Sequence, residues 1–81
     1  MTMVAAQVSL YPIREPTLTP AIMEALAVFR RHGLEVVPGS MSTVVTGDDA
    51  DVFSALQDVY RQNAARGDVV LVVTLSNSCP V

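Results

Sequence analysis

The sequence contains one cysteine, one histidine, no lysine and no tryptophan. A single cysteine, Cys79, excludes an intramolecular disulfide, and a single histidine leaves too few ligands for a zinc site. The five basic residues are all arginines scattered along the chain, and the net charge is −3. This charge distribution offers no basic patch for nucleic acid or for an anionic membrane surface, so we predict neither partner.

Apolar residues are abundant for so short a chain. They make up 51% of the 81 residues, and the mean hydropathy is +0.42. A domain of this size buries only about 60% of its unfolded surface, so a monomer cannot easily hide this much apolar material. We therefore expect one domain, spanning residues 1–81, that assembles into a homo-oligomer. The N-terminus lacks the features of a signal peptide, which predicts a reduced, cytoplasmic location.

Hydrophobic periodicity predicts six secondary-structure elements. Alternating residues predict a strand over 4–13, and short apolar runs bounded by Pro, Gly or Asp predict strands over 34–39, 42–47 and 68–81. Apolar stripes predict helices over 20–33 and 48–67, ended by Gly33 and Gly67. Phe53 and Tyr60 belong to the stripe of the second helix, so we expect both in the core. The order is that of an α+β, ferredoxin-like β-α-β-β-α-β fold, with a four-stranded antiparallel sheet and both helices on one face.

The last strand predicts how the uncovered face of the sheet is used. Its first half, "VVLVV" (69–73), is apolar on both faces, whereas a strand with one wet face shows polar alternation. We therefore expect a second subunit to cover this face. Polar residues also converge there, which suits either a small-molecule site or hydroxyls that pair across strands, and the pattern alone favours pairing. These residues are Gln7, Ser9, Tyr11, Ser42, Thr43, Thr74 and Ser76.

Motifs for catalysis or metal binding are weak. His32 follows two arginines at a helix end and suits capping, and Cys79 suits a small buried position. "TGDDAD" (46–51) lacks the ligand spacing of a calcium loop and suits the start of a helix. Arg14 lacks the glycine-rich loop that an acylphosphatase would need. We predict no catalytic residue, no metal and no cofactor.

Three segments together resemble the thiamine-binding, YkoF-like family. "VSLYPIREP" is similar to the start of its first strand. "MSTVVTGDDADVFSALQDVYRQ" is similar to its Ser-Thr-Val strand, Gly-Asp turn and following helix, and "TLSNSCPV" is similar to its final strand. With "IMEALAVF" between them, the resemblance spans nearly the whole chain.

The resemblance implies a ferredoxin-like domain that assembles through its sheet into dimers or tetramers. It also implies binding of thiamine, or of its hydroxymethylpyrimidine portion, without chemistry on the ligand. An oligomeric regulatory domain that binds another small effector is the alternative. The residues that the resemblance assigns to the ligand, or that suit its flat ring or its cationic thiazolium, are Ser9, Tyr11, Met41, Ser42, Thr43, Asp48, Ser76, Asn77 and Cys79.

Overall fold

The computed structural model describes residues 2–13 and 19–78 and shows six elements in the predicted order. Cys79 and Arg14 lie outside the described residues. Neither described helix is long and apolar enough to cross a membrane. The elements are β1 (Met3–Pro12), α1 (Thr19–Arg31), β2 (Glu35–Pro38), β3 (Thr43–Asp48), α2 (Asp49–Ala64) and β4 (Val69–Ser76).

The four strands form one sheet in the order β2-β3-β1-β4, and every neighbouring pair is antiparallel. This is the ferredoxin-like arrangement, so the predicted fold class is confirmed. β2 is an edge strand that ends at Pro38, as expected for a residue that cannot donate a ladder hydrogen bond. β2 and β3 form a hairpin around the turn at residues 39–42.

Both helices pack on one face of the sheet and enclose the core. Opposed residues of an antiparallel pair share a face, so Ala6 and Val45 lie beneath the helices, with Val4 and Val8 on either side along β1. Val52 and Val59 of α2 are fully buried against them. We call the other side of the sheet the open face. Its residues include Gln7, Ser9, Tyr11, Val37, Val44, Thr46, Val70, Val72, Thr74 and Ser76.

The end of α1 fixes the position of a large core residue. Leu34 N–H donates to the carbonyl of Phe29 at 3.2 Å, and Gly33 N–H donates to that of Arg30 at 3.0 Å. Gly33 has a φ of 76°, which a glycine adopts without strain, so the pattern is a Schellman motif and the predicted role of Gly33 is confirmed. Phe29 and Leu34 both join the core cluster. The motif thereby anchors Phe29, which is only 1% exposed.

Two features of α2 differ from the sequence-based expectation. Phe53 and Tyr60 are 56% and 51% exposed, so their predicted burial is wrong. Phe53 and Tyr60 lie seven residues apart, each directly after a buried residue of α2, position 52 or 59. The predicted apolar stripe therefore included one position too many in each of these turns of the helix. The helix also ends at Ala64, with Ala65 as its C-cap in the right-handed region, rather than at Gly67.

Candidate functional site

A pocket of about 200 Å³ opens where the ladder between β1 and β3 stops. The last pair of that ladder is Val8 and Thr43, while β1 continues to Pro12 along β4. The turn between β2 and β3 lies beside this free stretch of β1. The pocket is lined by Val8, Ser9, Leu10, Tyr11, Ile22, Ala25, Phe29, Gly39, Ser40, Met41, Ser42, Thr43 and Val59. We call this end of the sheet the pocket end.

Apolar side chains from both layers form the walls of the pocket. Phe29 and Ala25 of α1 are buried, and Val59 of α2 is fully buried. Leu10 packs against this cluster from the sheet. Ile22 of α1 is 38% exposed and lines the pocket as well. The walls therefore present an apolar surface to any ligand.

The rim of the pocket is the turn at residues 39–42. Gly39 N–H donates to the Ser42 carbonyl at 2.8 Å, which closes the turn. A Cβ at Gly39 would stand 2.8 Å from that same carbonyl oxygen, so a side chain does not fit without a backbone shift. The Ser9 hydroxyl donates to the Met41 carbonyl at 3.5 Å, while the Met41 side chain is 81% exposed. The turn is thus tied to β1 and carries an exposed apolar side chain, which is flexible by its chemistry.

Hydroxyl groups concentrate at this rim. Thr43 is opposite Val8 and Pro38, so it lies on the helix side of the sheet, within the pocket. Ser42 precedes it at the mouth, and its Oγ accepts a hydrogen bond from Gln7 Nε2 at 3.2 Å. Tyr11, 44% exposed, also lines the pocket. The rim therefore offers hydroxyl donors and acceptors near an aromatic residue.

No charged residue is among the described residues that line the pocket. Charged and titratable side chains of the described residues pair elsewhere: His32 Nε2 and Asp58 Oδ2 are hydrogen-bonded at 2.8 Å, and Arg66 pairs with Glu24. Within residues 2–13 and 19–78, no group of three or more His, Cys, Asp and Glu side chains could hold a metal ion. The pocket suits an uncharged ring with a polar edge.

Three of the predicted site residues lie at the opposite end of the sheet, which we call the far end. Asp48 is opposite Met3 and lies five positions along β3 from Thr43, which is about 17 Å along a strand. Its Oδ1 accepts a hydrogen bond from Thr2 N–H at 3.1 Å. Ser76 is opposite Ala5, its Oγ accepts from Ser78 N–H at 2.9 Å, and exposed Asn77 follows it.

The structure brings together five of the nine predicted site residues. Ser9, Tyr11, Met41, Ser42 and Thr43 line the pocket; Asp48, Ser76 and Asn77 do not, and Cys79 is outside the described residues. The apolar walls were not predicted from the sequence, because Phe29 and Val59 have the spacing of ordinary core residues. Ser40, which neighbours the predicted Met41 in the turn, was not predicted either.

Comparison with known proteins relates the chain to one family and one fold. The model of the YKOF-related family matches residues 3–81. A Bacillus subtilis (strain 168) protein named "Putative HMP/thiamine-binding protein YkoF" is 33% identical over 75 residues. The match covers 91% of this chain and 38% of that relative, so the chain spans well under half of its length.

Two solved structures show the same fold. A hypothetical protein from Methanocaldococcus jannascii is 24% identical and has a TM-score of 0.86, covering 94% of this chain and 80% of its own. A Thermotoga maritima protein named as a "putative thiamine biosynthesis/salvage protein" is 17% identical and has a TM-score of 0.79, covering 91% and 82%. At these identities the likeness concerns the fold alone.

Proposed function

The chain belongs to the YKOF-related family, and from that premise we propose that it binds hydroxymethylpyrimidine, either free or as part of thiamine. The 33% identical relative, named as an HMP/thiamine-binding protein, supports this choice of ligand. The observation that carries the proposal is the pocket itself, which has apolar walls and a hydroxyl-bearing rim. The protein acts as a binding protein in the cytoplasm and performs no chemistry on the ligand.

The size and chemistry of the pocket favour the pyrimidine over the whole of thiamine. Its volume of about 200 Å³ is below the roughly 300–1,000 Å³ of sites for larger ligands. An aminopyrimidine has an amine donor and ring-nitrogen acceptors, which match the hydroxyls of Ser42 and Thr43. Its flat ring suits contact with Tyr11 and Met41. The thiazolium of thiamine then extends from the mouth of the pocket into solvent.

Titration calorimetry tests this function most simply. We expect saturable binding of hydroxymethylpyrimidine and of thiamine with affinities within about tenfold of each other, because both present the same ring. The thiazole alcohol alone should give no saturable heat. Failure of hydroxymethylpyrimidine to bind at any temperature tested would overturn the proposal and favour a different small effector.

A second copy of the chain covers the open face in this proposal. Val37, Val70 and Val72 are 55%, 47% and 51% exposed there, and buried apolar area of this kind stabilises subunit association. Val72→Lys would place a charge in that interface and should shift the protein to monomers in sedimentation velocity. Phe53→Lys, at an equally exposed site on α2, is the control. A monomeric unmodified protein would contradict the assembly.

A further inference from the structure

We propose that Gln7, which does not line the pocket, positions the Ser42 hydroxyl as a hydrogen-bond donor to the ligand. The inference rests on the proposed function. Gln7 stands in the middle of β1 on the open face, between Val44 of β3 and Thr74 of β4. From there its Nε2 reaches the rim and donates to Ser42 Oγ at 3.2 Å.

The direction of this hydrogen bond decides what Ser42 can offer a ligand. A serine hydroxyl has one proton to donate and two lone pairs that accept. Because the amide of Gln7 can only donate through Nε2, it occupies a lone pair of Ser42 Oγ. The Ser42 proton then remains available for an acceptor in the pocket, such as a pyrimidine ring nitrogen. Gln7 is therefore a positioning residue that acts through Ser42.

The main chain around Ser42 is already fixed by other bonds. The Ser42 carbonyl accepts the Gly39 N–H that closes the turn, and Thr43 begins the ladder with β1. What remains free is rotation of the Ser42 side chain and of its hydroxyl proton. The bond from Gln7 restricts both, so it selects one orientation of the hydroxyl before the ligand arrives.

Two substitutions at Gln7 test the hydrogen bond to Ser42: one reverses its direction and the other removes it. Gln7→Glu keeps the shape of the side chain, but its carboxylate accepts a hydrogen bond from the Ser42 hydroxyl. The Ser42 oxygen can then only accept a hydrogen bond from the ligand. Gln7→Leu removes the bond and leaves the hydroxyl free to rotate. We expect calorimetric titration with hydroxymethylpyrimidine to show a loss of affinity of about 10-fold or more for Gln7→Glu and about 3-fold for Gln7→Leu.

The Ser42→Ala background shows whether Gln7 acts through Ser42. In that background both changes at Gln7 should have no further effect on affinity, because the hydroxyl they orient is gone. Thr74→Val is the matched control, since Thr74 is the partner of Gln7 on β4 and does not line the pocket. It should leave affinity unchanged. Thermal midpoints measured for every variant identify any that lose the fold.

The outcomes distinguish this inference from the function on which it rests. If the unmodified protein does not bind hydroxymethylpyrimidine, the proposed function is overturned, and the role of Gln7 with it. If it binds and Gln7→Glu binds equally well, only the role of Gln7 is overturned. An equal loss with and without Ser42 would also overturn it, because Gln7 would then act by another route.

Discussion

The pocket end and the far end of the sheet carry similar polar residues in different surroundings. At the pocket end, Ser42 and Thr43 stand beside an apolar cavity. At the far end, the carboxylate of Asp48 and the hydroxyl of Ser76 accept hydrogen bonds from backbone N–H groups, those of Thr2 and Ser78. The two ends therefore differ in surroundings: the hydroxyls at the pocket end border a cavity, whereas the described polar groups at the far end bond to the backbone and line no part of it.

Strand register is what divides the two groups. Antiparallel pairing places Thr43 opposite Val8, at the ladder's end, and Asp48 opposite Met3. Residues that are close in the sequence of β3 thus lie at opposite ends of the sheet. A binding site on this fold is consequently defined by the ends of strands rather than by a motif read along one of them.

The largest difference between the ends should appear in stability. Phe29→Ala removes a side chain that is 1% exposed and lines the pocket, and we expect a loss of about 3–5 kcal/mol in the free energy of unfolding. Phe53→Ala, near the start of α2 at the far end, removes a side chain that is 56% exposed and should cost less than about 1 kcal/mol. Urea denaturation of both variants measures the difference. Equal losses would contradict the burial described for these two residues.

Ligand affinity should separate the two ends next. Thr43→Val keeps the shape of the side chain but removes its hydroxyl from the pocket, and we expect binding to weaken by about 1–3 kcal/mol, with the thermal midpoint nearly unchanged. Thr46→Val is the same change on the same strand, on the open face, and should leave affinity as it is. Calorimetry with hydroxymethylpyrimidine compares them. An unchanged affinity for Thr43→Val would remove this residue from the site.

The smallest effect is expected from Asp48→Ala. Losing the hydrogen bond to Thr2 N–H should lower the free energy of unfolding by about 1 kcal/mol. Affinity for both thiamine and hydroxymethylpyrimidine should not change, because Asp48 is about 17 Å along β3 from Thr43. Denaturation and calorimetry on one preparation give both values. A selective loss of thiamine affinity would instead place the cationic thiazolium near this carboxylate.

The fold was readable from the sequence because each element follows a local rule. Alternation along β1, the apolar run of β4, the apolar periodicity of α1 and the glycine at position 33 each reflect neighbours within a few residues. The exposure of Phe53 and Tyr60 was not readable in this way. It depends on which neighbouring positions of α2 face the sheet, and that is set by tertiary packing.

The candidate site was readable only in part, for the same reason. The hydroxyl-rich start of β3 pointed to the pocket end, since Ser42 and Thr43 are adjacent in the chain. The walls combine Phe29 and Val59 from two helices, and no local pattern distinguishes a pocket wall from the core. Gln7 reaches Ser42 across 35 positions of sequence, a contact that only the sheet register creates.

The central claim is that the pocket end, and not the far end, binds the ligand. Nuclear magnetic resonance of the ¹⁵N-labelled protein during titration with hydroxymethylpyrimidine tests it most directly, because each backbone amide reports separately. We expect saturable shifts for Ser9, Tyr11, Ser42 and Thr43, with little change for Asp48, Ser76 and Asn77. Shifts centred on those three far-end residues would contradict it.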